Sequence, residues 1–108
     1  MKIQTPVSKE FLIKSIEDTS TKINAAPDNG ELYRTRGMLY LALEDLPKAL
    51  SDINTAIVLK CPDLAAAYFY RGVIHLHMKQ LDCEDFVKAK MLGYKTDWQG
   101  VKNFCTEL

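Results

Sequence analysis

The groups in this chain that could ionise, ligate or attack are few. They are His75 and His77, the cysteines Cys61, Cys83 and Cys105, and the acidic pair Glu84-Asp85 that directly follows Cys83. A shared metal would need both imidazoles to reach one ion. On a helix, residues at i and i+2 point about 200° apart, so one ring is expected toward the core and the other toward the open side of the fold, with no metal between them. A nucleophilic Cys83 would need a stabilised thiolate. Two neighbouring carboxylates push a thiol pKa up, so Cys83 reads as a small buried hydrophobe whose acidic neighbours face water or a partner. The three cysteines are odd in number, far apart and without a CxxC pair, which argues against a zinc site and against a disulfide framework. All three are expected reduced, as in a reducing compartment. The chain holds no Gly-rich phosphate loop, no Ser/His/Asp set and no paired carboxylates in a plausible cleft. Neither enzymatic activity nor a cofactor is expected.

Whatever positions these residues is a single domain of 108 residues, large enough to bury about two-thirds of its unfolded surface. Apolar residues make up 47% and charged residues 26%, a composition that supports a packed core rather than disorder. Lys+Arg and Asp+Glu both count 14, so the basic footprint of a nucleic-acid or anionic-membrane binder is missing. No apolar run approaches the length of a membrane span, and the opening Met1-Lys2-Ile3-Gln4-Thr5-Pro6 leads to Ser8, Lys9 and Glu10 rather than to an apolar signal core. The expected compartment is the cytoplasm.

The chain repeats itself. Tyr33-Arg34-Thr35-Arg36-Gly37 and Tyr68-Phe69-Tyr70-Arg71-Gly72 share Tyr-x-x-Arg-Gly at a separation of 35, and each follows a Pro-Asp loop, Pro27-Asp28 and Pro62-Asp63. In the first copy Tyr33, Leu39, Tyr40 and Leu43 share a broad helical face. The stretch Glu44-Asp45-Leu46-Pro47 then breaks the helix, with Asp45 or Leu46 at the cap and Pro47 at the first helical position. A second helix to about Leu59 turns Ala49, Leu50, Ile53, Ala56 and Ile57 toward its partner, and so short a connection forces a hairpin. Gly37 and Gly72 lie inside helices, where their missing Cβ lets the partner helix approach, with Ala49 and Ala56 as small complements.

In the second copy Gly72 to Ala89 spans 17 residues against 19 from Gly37 to Ala56, so two residues are missing around Lys79–Asp82, which tightens that turn or shortens a helix. Gly93 is placed to end a helix in a left-handed conformation. Thr96-x-x-Gln99 reads as a capping box that opens a last helix with Trp98, Val101 and Phe104 or Cys105 on one side. At the front, a helix from Pro6 to Ala25, starting at Thr5 or Ser8, carries Phe11, Leu12, Ile16 and Ile23, and its second half resembles the end of a further repeat.

The order Tyr33, Gly37, Tyr40, Ala49, Ile53, Ala56 with a proline near the end, repeated in register, resembles the tetratricopeptide repeat. The resemblance covers about residues 28–94. It departs from the pattern in the shortened second copy and in Pro62, which comes one residue late. It implies an all-α fold of about six helices, in which antiparallel helix-turn-helix hairpins stack as a short right-handed α-solenoid. The expected units are an N-terminal helix or partial repeat at 6–26, repeats at 28–63 and 64–94, and a C-terminal capping helix at 96–107 whose polar outer face closes the array.

The resemblance also implies roles. Arg36 with Asp52, and Arg71 with Asp85, are expected as structural ion pairs inside the hairpins, which set registry more than they add stability. First helices of such repeats line a concave groove, here Arg34, Met38, Leu41 and Ala42 with Phe69, Val73, Leu76 and His77. Met38 and Val73 stand where repeats that clamp carboxylate tails carry Asn, so no such clamp is expected. An apolar ligand face with Arg34 at one side suits a peptide or helix of a partner protein. The alternative is a self-associating module, such as a homodimer, whose groove is filled by its own terminal helix or by a second copy, because two full repeats are fewer than such arrays usually need.

Overall fold

The computed structural model describes residues 8–108 and contains six helices among them: α1 (Lys9–Ala25), α2 (Gly30–Ala42), α3 (Leu46–Val58), α4 (Leu64–His77), α5 (Cys83–Met91) and α6 (Trp98–Lys102). Each begins at a side chain that takes up an orphan backbone N–H. Ser8 accepts from Phe11 N, Asn29 from Glu31 N, Asp45 from Lys48 N, Asp63 from Ala66 N, Asp82 from Glu84 N and Asp97 from Gln99 N. Of the two expected starts for α1, Ser8 makes the cap, and Thr5 and Pro6 lie outside the described residues. The cap of α6 is Asp97 and not Thr96, because a carboxylate both accepts the hydrogen bond and complements the positive helix end. Asp45 caps α3, which puts Pro47 at the second helical position, where its missing N–H is still harmless.

Neighbouring helices pack in chain order, α1 on α2, α2 on α3, α3 on α4 and α4 on α5, and α2 also touches α4. Alternate helices therefore fall into two layers, with α2 and α4 side by side. Between the two hairpins lies a core of Ala49, Ile53, Ala56, Cys61, Ala67 and Ile74, flanked by Tyr33, Tyr40 and Tyr70. Closeness of approach explains the two helical glycines. A Cβ on Gly37 would stand 2.9 Å from the Ile53 side chain, and one on Gly72 would stand 2.9 Å from the Phe86 ring.

The shortening of the second repeat falls on its second helix. Three residues join α2 to α3, whereas five join α4 to α5, so the turn lengthens instead of tightening. In return α5 has nine residues and α3 thirteen, a difference of one helical turn. Helices α2, α3, α4 and α5 end alike, in a left-handed residue followed by an N–H that reaches back five residues: Asp45 to Tyr40 O, Cys61 to Ala56 O, Gln80 to His75 O and Tyr94 to Ala89 O. Glycine holds that left-handed place only after α5, at Gly93 (φ 92°), and Glu44, Lys60 and Lys79 hold it elsewhere.

Two expectations fail at the C-terminus. The closing helix does not run to 107 but stops at Lys102, and turns carry the chain on to Cys105. There Cys105, fully buried, forms a disulfide with Cys83 at the start of α5, with Cα atoms 5.6 Å apart. Only Cys61 remains a free thiol, buried beside Gly30. The expectation of three reduced cysteines is thus overturned. Sequence spacing carries no information on proximity here, because packing of Phe86, Val101 and Leu108 is what brings the two sulfurs together.

Candidate functional site

The inside of each hairpin is held by an arginine from the first helix. Arg36 donates from Nε and Nη2 to both carboxylate oxygens of Asp52, at 2.7 and 2.9 Å. Arg71 does the same to Asp85, at 2.8 and 2.9 Å. Each guanidinium also reaches back one helix, Arg36 to Ser20 Oγ on α1 and Arg71 to Asn54 Oδ1 on α3, both at 3.0 Å. Helix α1 therefore stands to the first hairpin as α3 stands to the second. Its buried Leu12, Ile16 and Ile23 lie 34 residues before Leu46, Leu50 and Ile57 of α3. Asp52 and Asp85 are almost wholly buried, and their hydrogen bonds push both guanidinium pKa values up. These four residues are committed to packing and offer nothing to a ligand.

The eight residues expected to line a groove separate into two groups. Leu41, Ala42 and His77 border an open depression of about 380 Å³ at the C-terminal ends of α2 and α4, together with Glu44 and Leu46. Leu76 on the same stretch of α4 is exposed. The other group, Arg34, Met38, Phe69 and Val73, lies further from the helix C-termini and is largely spoken for. Arg34 forms an ion pair with Glu31 on its own helix and donates to Met38 Sδ at 3.2 Å. Phe69 does not face an open groove. The Tyr94 ring stacks on it with centroids 4.4 Å apart, and the edges of Phe86 and Trp98 close in at 5.5 and 5.9 Å. Val73 packs against the same cluster. Burial, with help from the Tyr70 hydroxyl, pushes the Tyr94 phenol up to about 12, so it stays neutral across the physiological range.

Glu44 and Leu46 are not among the expected lining residues, and Tyr94 and Trp98 are not expected as cover for Phe69, although a terminal helix over the groove is one of the alternatives. Glu44 is the left-handed residue of the turn after α2 and Leu46 the first residue of α3, so neither lies on the two helices expected to line the groove. The aromatic cover depends on where the chain goes after Gly93. Neither carries a periodic signal.

His75 is half-buried, with an Nδ1 that has no hydrogen-bond partner and lies 3.9 Å from Asp85 Oδ2, while His77 is exposed. The ligand atoms of His75, Asp82 and Asp85 lie within 4.8 Å of one another. Asp82, however, already caps α5, and both oxygens of Asp85 accept from Arg71. A cation there would have to share a carboxylate with a guanidinium, so the cluster is best understood as part of the hairpin's ion pair. Among the described residues no helix is long and apolar enough to cross a membrane. Comparison with models of known families, with curated proteins and with solved structures found nothing that matches this chain.

Proposed function

We propose that the chain is a protein-binding module of the tetratricopeptide type that holds a peptide or helix of another protein on the face formed by α2 and α4. One observation carries the reading: the depression between the helix ends is open, lined by Leu41, Ala42 and Leu46 together with Glu44 and His77, and large enough for one or two side chains. Of the groups that could do chemistry, Cys83 and Cys105 are joined in the disulfide and Asp85 is held by Arg71, which supports binding over catalysis. Neither nucleic acid nor membrane is a proposed ligand. The expectation of a cytoplasmic protein rested on three reduced thiols and on the lack of an apolar signal core or membrane-length run near the start of the sequence. With Cys83 joined to Cys105, a compartment in which disulfides persist is the better proposal. Acid quenching of cells, then alkylation of free thiols in denaturant so that buried Cys61 reacts, and a mass measurement should find one modified cysteine per chain. Three would restore the cytoplasm.

Selecting a library of displayed helical peptides on the immobilised chain tests the binding reading. Selected peptides should lose their binding to an Ala42→Trp variant, whose indole would fill the depression from an exposed position while leaving thermal stability unchanged. Failure to select any peptide, or equal binding by both proteins, would remove the reading. The second reading, a self-associating module, draws on the cover that the C-terminal segment places over Phe69. It predicts a dimer in light scattering across a hundredfold concentration range, and dissociation of that dimer by Ala42→Trp.

A further inference from the structure

Resting on the reading of the α2–α4 face as a binding surface, we infer that its open depression receives a lysine or arginine side chain of the bound segment. The walls suit the aliphatic stem of such a residue, with Leu41, Ala42 and Leu46 supplying apolar contact without closing over the head group. The charge at the rim is negative. Glu44 is the acidic residue among those that line the depression; it is exposed and makes no ion pair among the described residues. Two helix C-termini, those of α2 at Ala42 and of α4 at His77, end at the same place, and each brings the partial negative charge of its terminal carbonyls. No basic residue lies in the last turn of α2 to offset it, whereas the last turn of α4 holds His75 and His77.

His77 is the basic residue that lines the depression, and the nearby arginine and lysines are engaged or set apart. Arg34 is tied to Glu31 at the other end of α2, and Lys48 pairs with Asp45. Lys79, which follows α4 as Glu44 follows α2, is not among the lining residues. An ammonium or guanidinium entering the depression would therefore meet a carboxylate outside any ion pair among the described residues and two helix ends, with His77 beside them, while its methylenes displace water from leucine side chains. An acidic side chain would meet the same groups as repulsion, which is how the site would select its partner.

The test uses the full chain and displayed helical peptides as the probe. Peptides that shift the amide resonances of Leu41, Ala42 and Leu46 should carry a Lys or Arg. Replacing that residue by norleucine, which keeps the stem and removes the charge, should weaken binding by about tenfold. Glu44→Gln should weaken the basic peptide to the same degree and leave the norleucine peptide unaffected. Norleucine peptides that bind this site as tightly, or an unchanged affinity in Glu44→Gln, would overturn the inference while leaving the binding face intact. Peptides that never move these resonances, or no selected peptides at all, would overturn both.

Discussion

In the first hairpin, Arg36 grips Asp52 at the seventh residue of α3, with more than a full helical turn before it; in the second, Arg71 grips Asp85 at only the third residue of α5. The grip itself is nearly superimposable, two hydrogen bonds of 2.7 to 2.9 Å in each case. In both hairpins the glycine one residue later admits the apolar side chain that follows the aspartate, Ile53 in one and Phe86 in the other. What differs is everything that precedes the aspartate and everything that follows the hairpin. A helical turn can be dropped from α5 because registry is set at the Arg–Asp and Gly–apolar contacts, not at the turn. The buried surface lost with that helical turn is made up elsewhere. Phe86 replaces Ile53, and Phe69, Trp98, Val101 and Leu108 close over it under the Cys83–Cys105 disulfide. The first hairpin is completed by its neighbours on both sides, and the second by the chain's own tail.

Removing the arginines should have the largest effect. Arg71→Ala leaves Asp85, 2% exposed, without its counter-charge, and should destabilise by about 3 kcal/mol, the lower end for a broken buried pair because the guanidinium keeps some contact with water. Arg36→Ala should cost slightly less, since the longer α3 helps to hold Asp52 in place. Urea unfolding of both variants measures this. Losses below about 1 kcal/mol in both would mean that packing alone sets the registry.

Reducing the disulfide should have the next largest effect and should separate the two hairpins most sharply. Closing a loop of 22 residues contributes about 3 kcal/mol in the chain-entropy model. Trp98 is the only tryptophan and sits in the tail. Dithiothreitol should therefore shift its emission to the red before helical circular dichroism falls, with amide protection in α2 and α3 unchanged. Simultaneous loss of all three signals would show a single cooperative unit. The smallest effect distinguishes the two glycine contacts. Gly72→Ala presses a methyl onto a rigid, buried ring and should cost about 2 kcal/mol. Gly37→Ala meets the end of an isoleucine that can change rotamer, and with the gain in helix propensity should cost about 1 kcal/mol or less. Equal melting temperatures for the two variants would contradict the comparison.

Much of this architecture was legible because it is local. Caps such as Asp45, the stop at Gly93, the amphipathic periodicity and the Tyr-x-x-Arg-Gly repeat all act within a few residues of themselves, so residue type and spacing are enough to find them. The candidate site was legible only in part. Leu41, Ala42 and His77 are groove positions that the resemblance to the tetratricopeptide repeat implies, but it implies Phe69 equally, and Phe69 is covered. The cover depends on a segment 25 residues further on, and no local rule says where that segment goes. The same holds for Cys105, whose nearness to Cys83 arises only when the tail folds over Phe86, and for Glu44, whose place at the depression depends on how α3 turns back beneath α2. The amino-acid sequence by itself determined the helices, their ends and the pairing within each hairpin, because those energies are set at short range. The tertiary structure alone decided which part of the α2–α4 face stays open and which cysteines join, because both depend on how distant segments share one small core.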